Sequence, residues 1–135
     1  MEYTVTDEGV VAVLEPGDEV LESLATIREA ADVEGGFFSA IGAVDRVTLG
    51  HYDTAAQEYT EETFEGQYEV TSFMGNVGPD KIHAHIQVAG PDFSTIGGHC
   101  SGARVSGTFE VFLVRSGATL EHTYDDRTGL DVFDL

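Results

Sequence analysis

Three of the chain's five histidines stand where imidazoles can share an ion. The run Lys81-Ile-His-Ala-His-Ile-Gln-Val-Ala-Gly90 reads as a β-strand, in which residues two apart point the same way. Ile82, Ala84, Ile86 and Val88 then face a core, while His83, His85 and Gln87 face away from it. Two imidazoles side by side on a stiff strand can chelate one transition metal. Fourteen residues after His85, Gly97-Gly98-His99 offers a third imidazole at an expected glycine turn, where the backbone can fold close to a neighbour. Three histidines with an open fourth position form a ligand set of catalytic zinc, at Zn–N distances of about 2.0–2.1 Å. Imidazole also suits Cu, Ni and Fe(II), so Zn²⁺ is expected first and another divalent transition metal second. Two histidines on a solvated strand face and an unrelated turn histidine would satisfy the same pattern.

Other reactive groups are less telling. Cys100 follows His99 on an extended segment, so it points to the opposite face and reads as a small buried apolar group. His51 and His122 lack metal-like spacing and read as surface or strand residues. Glu110 shares a strand face with Thr108, Phe112 and Val114, opposite Phe109, Val111 and Leu113. Beside a metal it could act as general base or as a partner to a ligand, the catalytic role if the protein is an enzyme. Equally, it could be an edge-strand charge that discourages aggregation. Asn76, within Met74-Gly75-Asn76-Val77-Gly78, is either a turn residue tolerant of positive φ or a polar group lining the same cavity. No Gly-x-Ser-x-Gly elbow and no phosphate-binding glycine loop is present.

The elements that must position these groups follow from periodicity. Val10 to Leu14 reads as a short buried strand, broken by Pro16-Gly17-Asp18, with Asp18 expected as a helix N-cap. From Glu19 to Asp32 the apolar stripe Val20, Leu21, Leu24, Ile27, Ala31 predicts an amphipathic helix that Gly35-Gly36 ends. The pattern then turns to period two. Strands are expected over Phe37–Val44, Arg46–Tyr52, Lys81–Ala89, Val105–Arg115 and Ala118–Tyr124, with a hairpin of Glu58–Phe64 and Gln67–Phe73 around Glu65-Gly66. The expected class is α+β: one main amphipathic helix packed on a curved, mostly antiparallel β-sheet, as a single domain over residues 1–135.

Composition sets the partners. In 135 residues, Lys+Arg 6 stand against Asp+Glu 25, a net charge of −19. The bases (Arg28, Arg46, Lys81, Arg104, Arg115, Arg127) are scattered, so the basic cluster needed to neutralise nucleic-acid phosphates is missing. Such acidity on an ordinary apolar content of 41% suits a salt-rich cytoplasm, where charge repulsion is screened and solubility kept. A halophilic source and a cytoplasmic location are therefore expected. The single cysteine excludes an internal disulfide framework, and neither a membrane span nor a secretory signal is expected.

The order of these motifs resembles the plants and prokaryotes conserved domain family, found alone in bacteria and archaea and joined to AT-hooks in plant nuclear proteins. The likeness rests on Leu14-Glu-Pro-Gly-Asp-Glu-Val-Leu-Glu-Ser-Leu24, Ser39-Ala-Ile-Gly-Ala-Val44 and Thr48-Leu-Gly-His-Tyr-Asp53. It continues through Tyr68-Glu69, Gly75-Asn76, His83-Ala-His85, Gly97-Gly-His99, Phe109-Glu-Val-Phe-Leu113 and Asp126-Arg-Thr-Gly-Leu130, spanning about residues 10 to 134. The resemblance implies a homotrimer with a metal-capable cluster of His83, His85 and His99 near a subunit boundary. It implies a regulatory or interaction module of a type associated with DNA. The fold is also similar to that of α-acetolactate decarboxylase, which makes a small zinc-dependent lyase or hydrolase, with a small-molecule ligand at the metal, the alternative. Cys100 departs from the family's usual aliphatic residue, and no Arg-Gly-Arg-Pro hook is present.

Overall fold

The computed structural model describes residues 1–135. In chain order the elements are β1 (Glu2–Val5), β2 (Gly9–Leu14), α1 (Val20–Ala30), β3 (Gly36–Asp53) and β4 (Glu58–Val77). Then come β5 (Ile82–Ala89), β6 (Thr95–Arg115), β7 (His122–Asp125) and β8 (Leu130–Phe133). Six strands form one antiparallel sheet in the order β1-β2-β6-β3-β4-β5, and β5 pairs again with β6. Strands β3 to β6 therefore close into a ring, while β1 and β2 extend it on one side. A separate pair, β7 with β8, forms a small C-terminal hairpin. The class is the expected α+β.

Bulges explain why three strands are longer than their sequence suggests. The two strands expected on either side of Asp45 are one, because the register shifts between Val44 and Arg46 without ending the ladder. Opposite the single residue Asp45, β4 places two, Gly66 and Gln67, and Gly66 adopts φ 151°. The hairpin expected around Glu65-Gly66 is thus a bulge within β4, since an extra residue bends a strand without ending it. The true turn between β3 and β4 spans residues 54–57, where the Asp53 carboxylate accepts from the Ala55 and Ala56 amides at 2.9 and 3.0 Å. Likewise β6 begins at Thr95, ten residues before the expected start, and Gly97-Gly98-His99 lies inside it rather than in a turn. Of the strand expected over Ala118–Tyr124, only the part from His122 onward pairs.

The helix forms where its apolar stripe predicts, burying Val20, Leu24 and Ile27. Asp18 does not cap it. Its carboxylate accepts from the Glu15 amide at 2.9 Å and faces the N-terminal ammonium at 3.1 Å, leaving Glu19 at the N-cap without a side-chain cap. Nor does Gly35-Gly36 end it. Asp32 takes φ 50°, and the Val33 amide reaches back to the Arg28 carbonyl at 3.0 Å, a C-terminal turn usually made with glycine. Arg115 donates to the Ala31 carbonyl at 2.7 Å, and Arg28 to the Gly78 carbonyl at 2.8 Å, fastening the helix to the sheet.

Inside the ring, Phe38, Phe73 and Phe109 are fully buried, with ring centroids 5.0 and 5.4 Å apart along the series. Fully burying a side chain of this size stabilises by about 1.5–3 kcal/mol, so the three aromatics carry a large part of the core. The opposite, outer face is also apolar. Val11, Val13, Phe37, Ile41, Met74 and Phe112 are 41% to 59% exposed. Register places Val11, Phe112, Ser39, Met74 and His85 in one row across five strands.

Candidate metal centre

The His83-x-His85 pair behaves as strand alternation requires: Ala84, Ile86 and Val88 are buried, His83 is half-buried and His85 is exposed on the other face. His99, on β6, arrives by strand pairing, directly opposite His85 of β5 and opposite Gly50 of β3. Cross-strand partners share a face, so β5 and β6 together present three imidazoles to one point. Their ring centroids are 5.3, 5.4 and 5.8 Å apart. One nitrogen from each lies within 4.8 Å of the others. Tetrahedral coordination at about 2.0–2.1 Å needs nitrogens about 3.4 Å apart, so the rings would have to draw together from this spacing to hold an ion.

Electrostatics prepare the cluster for a cation. Burial lowers the pKa of His83, and the neighbouring His85, His99, Lys81 and His122 lower it further. His99 is lowered by burial, then by His85 and Lys81, against an opposing pull from Glu61. Both imidazoles thus favour the neutral form, the form that ligates metal. Cys100 lies next to His99 but on the buried side, where burial pushes its thiol up to about 11. A thiol so protonated is a core group, and the expected opposite orientation holds.

The cluster opens onto a cleft of about 640 Å³. His51, Tyr52 and Tyr59 form one wall, Lys81 and Ile82 another, and Tyr124, Leu130 and Asp131 of the C-terminal hairpin a third. Gly50 leaves room for the Tyr59 ring, which a Cβ there would push aside and which meets His99 edge-on at a centroid distance of 6.2 Å. Tyr59 donates to Glu61 at 3.0 Å, Tyr52 donates to the Thr128 carbonyl at 3.0 Å, and Lys81 pairs with Asp131 at 2.8 Å. His51 is the exposed strand residue expected, outside the imidazole cluster, and it also lines the cleft.

Glu110 is not among these groups. It faces outward between Val13 and Ile41, on a stretch of β6 flanked by β2 and β3, so it is neither an edge charge nor a neighbour of the imidazoles. Along β6 it stands eleven residues beyond His99, and it does not line the cleft. Asn76 is a strand residue, not a turn residue: it sits in β4 directly opposite His83. Tyr59, Glu61, Lys81 and Asp131 were invisible as site residues because only tertiary pairing brings them there.

Each basic residue is already engaged inside the chain. Arg46 pairs with Glu19, Arg104 with Asp45 and Arg127 with Asp125, while Arg28 and Arg115 donate to backbone carbonyls and Lys81 holds Asp131. No helix is long and apolar enough to cross a membrane.

Residues 1–116 match the pattern of the Plants and Prokaryotes Conserved (PCC) domain. A metal-containing protein of Archaeoglobus fulgidus is 29% identical, with a TM-score of 0.85 over 98% of this chain and 96% of that one. A suspected DNA-binding protein from Ralstonia eutropha JMP134 is 27% identical, with a TM-score of 0.89 over 98% of this chain and 95% of that one. Among curated relatives, the bifunctional protein GlmU of a Synechococcus strain is 29% identical over 103 residues, 75% of this chain, which spans 16% of that protein's length. The α-acetolactate decarboxylase of Bacillus subtilis strain 168 shares the fold at a TM-score of 0.59, with 10% identity over 78% of this chain and 51% of that one.

Proposed function

The chain belongs to the Plants and Prokaryotes Conserved (PCC) domain family, and on that footing we propose that it is a homotrimeric metal-binding module of the regulatory or interaction type. His83, His85 and His99 hold a divalent transition metal, zinc in the first instance. The convergence of three imidazole nitrogens within 4.8 Å carries this reading, and the metal-containing relative from Archaeoglobus fulgidus supports it. The outer apolar face supports assembly: a row from Val11 through Phe112 to Met74 leaves a patch that other copies of the chain would cover. That row ends at His85, so the metal centre would lie at the rim of the contact between subunits.

Direct contact with nucleic acid is disfavoured. The six bases are all occupied within the chain and the net charge is −19, so few counterions would be released on a phosphate backbone. A DNA-linked role would therefore run through a partner.

One observation favours a second reading, a small metal-dependent enzyme of the lyase or hydrolase class. The cleft adjoining the imidazoles has the size of a small-ligand site. A bound zinc would supply Lewis-acid polarisation of a substrate oxygen. Tyr59 and Lys81 are the proton-bearing side chains that would orient a ligand there.

Elemental analysis of the purified chain and of His83→Ala tests the centre. One metal per chain, lost in the variant, is expected; equal content in both would overturn it. A search for turnover needs the metal-loaded trimer, with His99→Ala as the inactive control.

A further inference from the structure

Three buried side-chain polar atoms in the molecule lack a hydrogen-bond partner: Asn76 Oδ1, His122 Nδ1 and Arg115 Nη1. The last belongs to the guanidinium that closes the helix end, where its other nitrogen is bonded to Ala31. The first two flank His83. Asn76 is its direct cross-strand partner, and His122 is close enough to act on its charge.

Buried acceptors without donors are uncommon, and each one calls for an explanation. Here the explanation is chemical. A metal-bound imidazole presents one ring nitrogen to the ion and donates the N–H of the other to a fixed acceptor, which sets tautomer and ring orientation. None of the three histidines of the cluster makes such a bond within the chain. Opposed residues on an antiparallel ladder have Cβ atoms about 4.5–5.5 Å apart. Asn76 Oδ1 bonds to nothing in the structure, and at that spacing the ring nitrogen nearer the backbone, Nδ1, is the one that a turn of the short amide would meet, not the far one. Gly75 makes the approach close, because a Cβ there would run into the His83 carbonyl.

We propose that Asn76 is the positioning residue for His83: its Oδ1 accepts the Nδ1–H of that imidazole, which leaves Nε2 free to bind the ion. This rests on the metal reading given above. It assigns to Asn76 a task that neither a turn nor core packing requires, and it accounts for an acceptor that is otherwise orphaned.

The test is zinc competition against a chelating dye on the full chain, with His side-chain ¹⁵N spectra of the zinc-loaded protein. Asn76→Ala should bind zinc about 10–100-fold more weakly, and Asn76→Asp, which keeps an acceptor, should recover most of that loss. In the wild type, the His83 Nδ1 proton should be protected from exchange and its Nε2 shifted by the metal. If the alanine variant fails to fold, the wild-type spectrum decides alone. Zinc binding by Asn76→Ala within twofold of wild type, or ligation of His83 through Nδ1, would overturn the proposal. So would a loss of affinity in His122→Phe that Asn76→Ala does not share. A wild-type chain that takes up no zinc is a different result, and removes the metal reading itself.

Discussion

The ammonium of Lys81 stands 2.8 Å from the carboxylate of Asp131, tying the residue before β5 to the C-terminal hairpin. Lys81 holds the Asp131 carboxyl below the usual range, so the link is present above that range and is lost as pH falls through the lowered value. Asp131→Asn should leave the melting temperature almost unchanged while speeding amide exchange over residues 122–133. Mass spectrometry of exchanged peptides reads this directly, and exchange unchanged from wild type would show that the hairpin is held by other contacts.

The depressed histidines give the metal-free protein an acid limb. His83 and His99 both titrate below the ordinary 6.5, so the unfolded chain takes up protons first as pH falls. Stability is full above that value and declines as pH drops through the folded ones. In EDTA, the melting temperature should fall below about pH 6.5, and the double variant His83→Gln/His99→Gln should flatten that part of the curve.

Phe73 touches both other buried phenylalanines. Phe73→Ala should cost about 3–5 kcal/mol, because the ring of strands cannot collapse around the void. Urea denaturation measures it; a loss below about 1 kcal/mol would mean that the site repacks.

Phe112 and Ile41 lie at the centre of the outer apolar face. Phe112→Glu adds a charge there without touching the inner core. Light scattering should give three chains for the wild type and one for the variant, with secondary structure retained by circular dichroism. A wild-type monomer would leave the apolar row for another partner.

Salt should matter more than for an ordinary domain. With 25 acidic residues against 6 basic ones, repulsion is strong in dilute buffer and is screened to about 3 Å at 1 M salt. The melting temperature should rise markedly from low to molar KCl. Equal stability at both ends would remove the halophilic interpretation.

Local chemistry made much of this legible before any coordinates. The stripe Val20, Leu24, Ile27 places the helix within one or two residues, and the alternation around Ala84 and Ile86 aims both strand histidines outward. What local reading misplaces are the joints. Gly66 and Gly97 look like turns, since glycine serves turns and bulges alike, and the strands around them simply continue. Asp32 does at the helix end what glycine was expected to do. The reach of His99 was anticipated, although its route was not: it comes by pairing with His85, a partner set by the turn at residues 90–94. Glu110 fails as a neighbour of the imidazoles because residues that share one strand can lie on different sides of a closed ring. Lys81 and Asp131, 50 positions apart, carry no local sign of each other.

The closing seam of the ring is short. β5 and β6 are joined at five positions only, from His85 opposite His99 to Ala89 opposite Thr95, whereas β3 and β4 are joined along nearly their whole length. Two of the three imidazoles, His85 and His99, form the last rung of that seam, and His83 lies just beyond it. Between His85 and Ala89 this seam is all that ties β6 back to β5, which is held on its other edge by eight pairs with β4. The same strand carries His85, the end of the outward apolar row, so the seam and that row share one edge of the barrel.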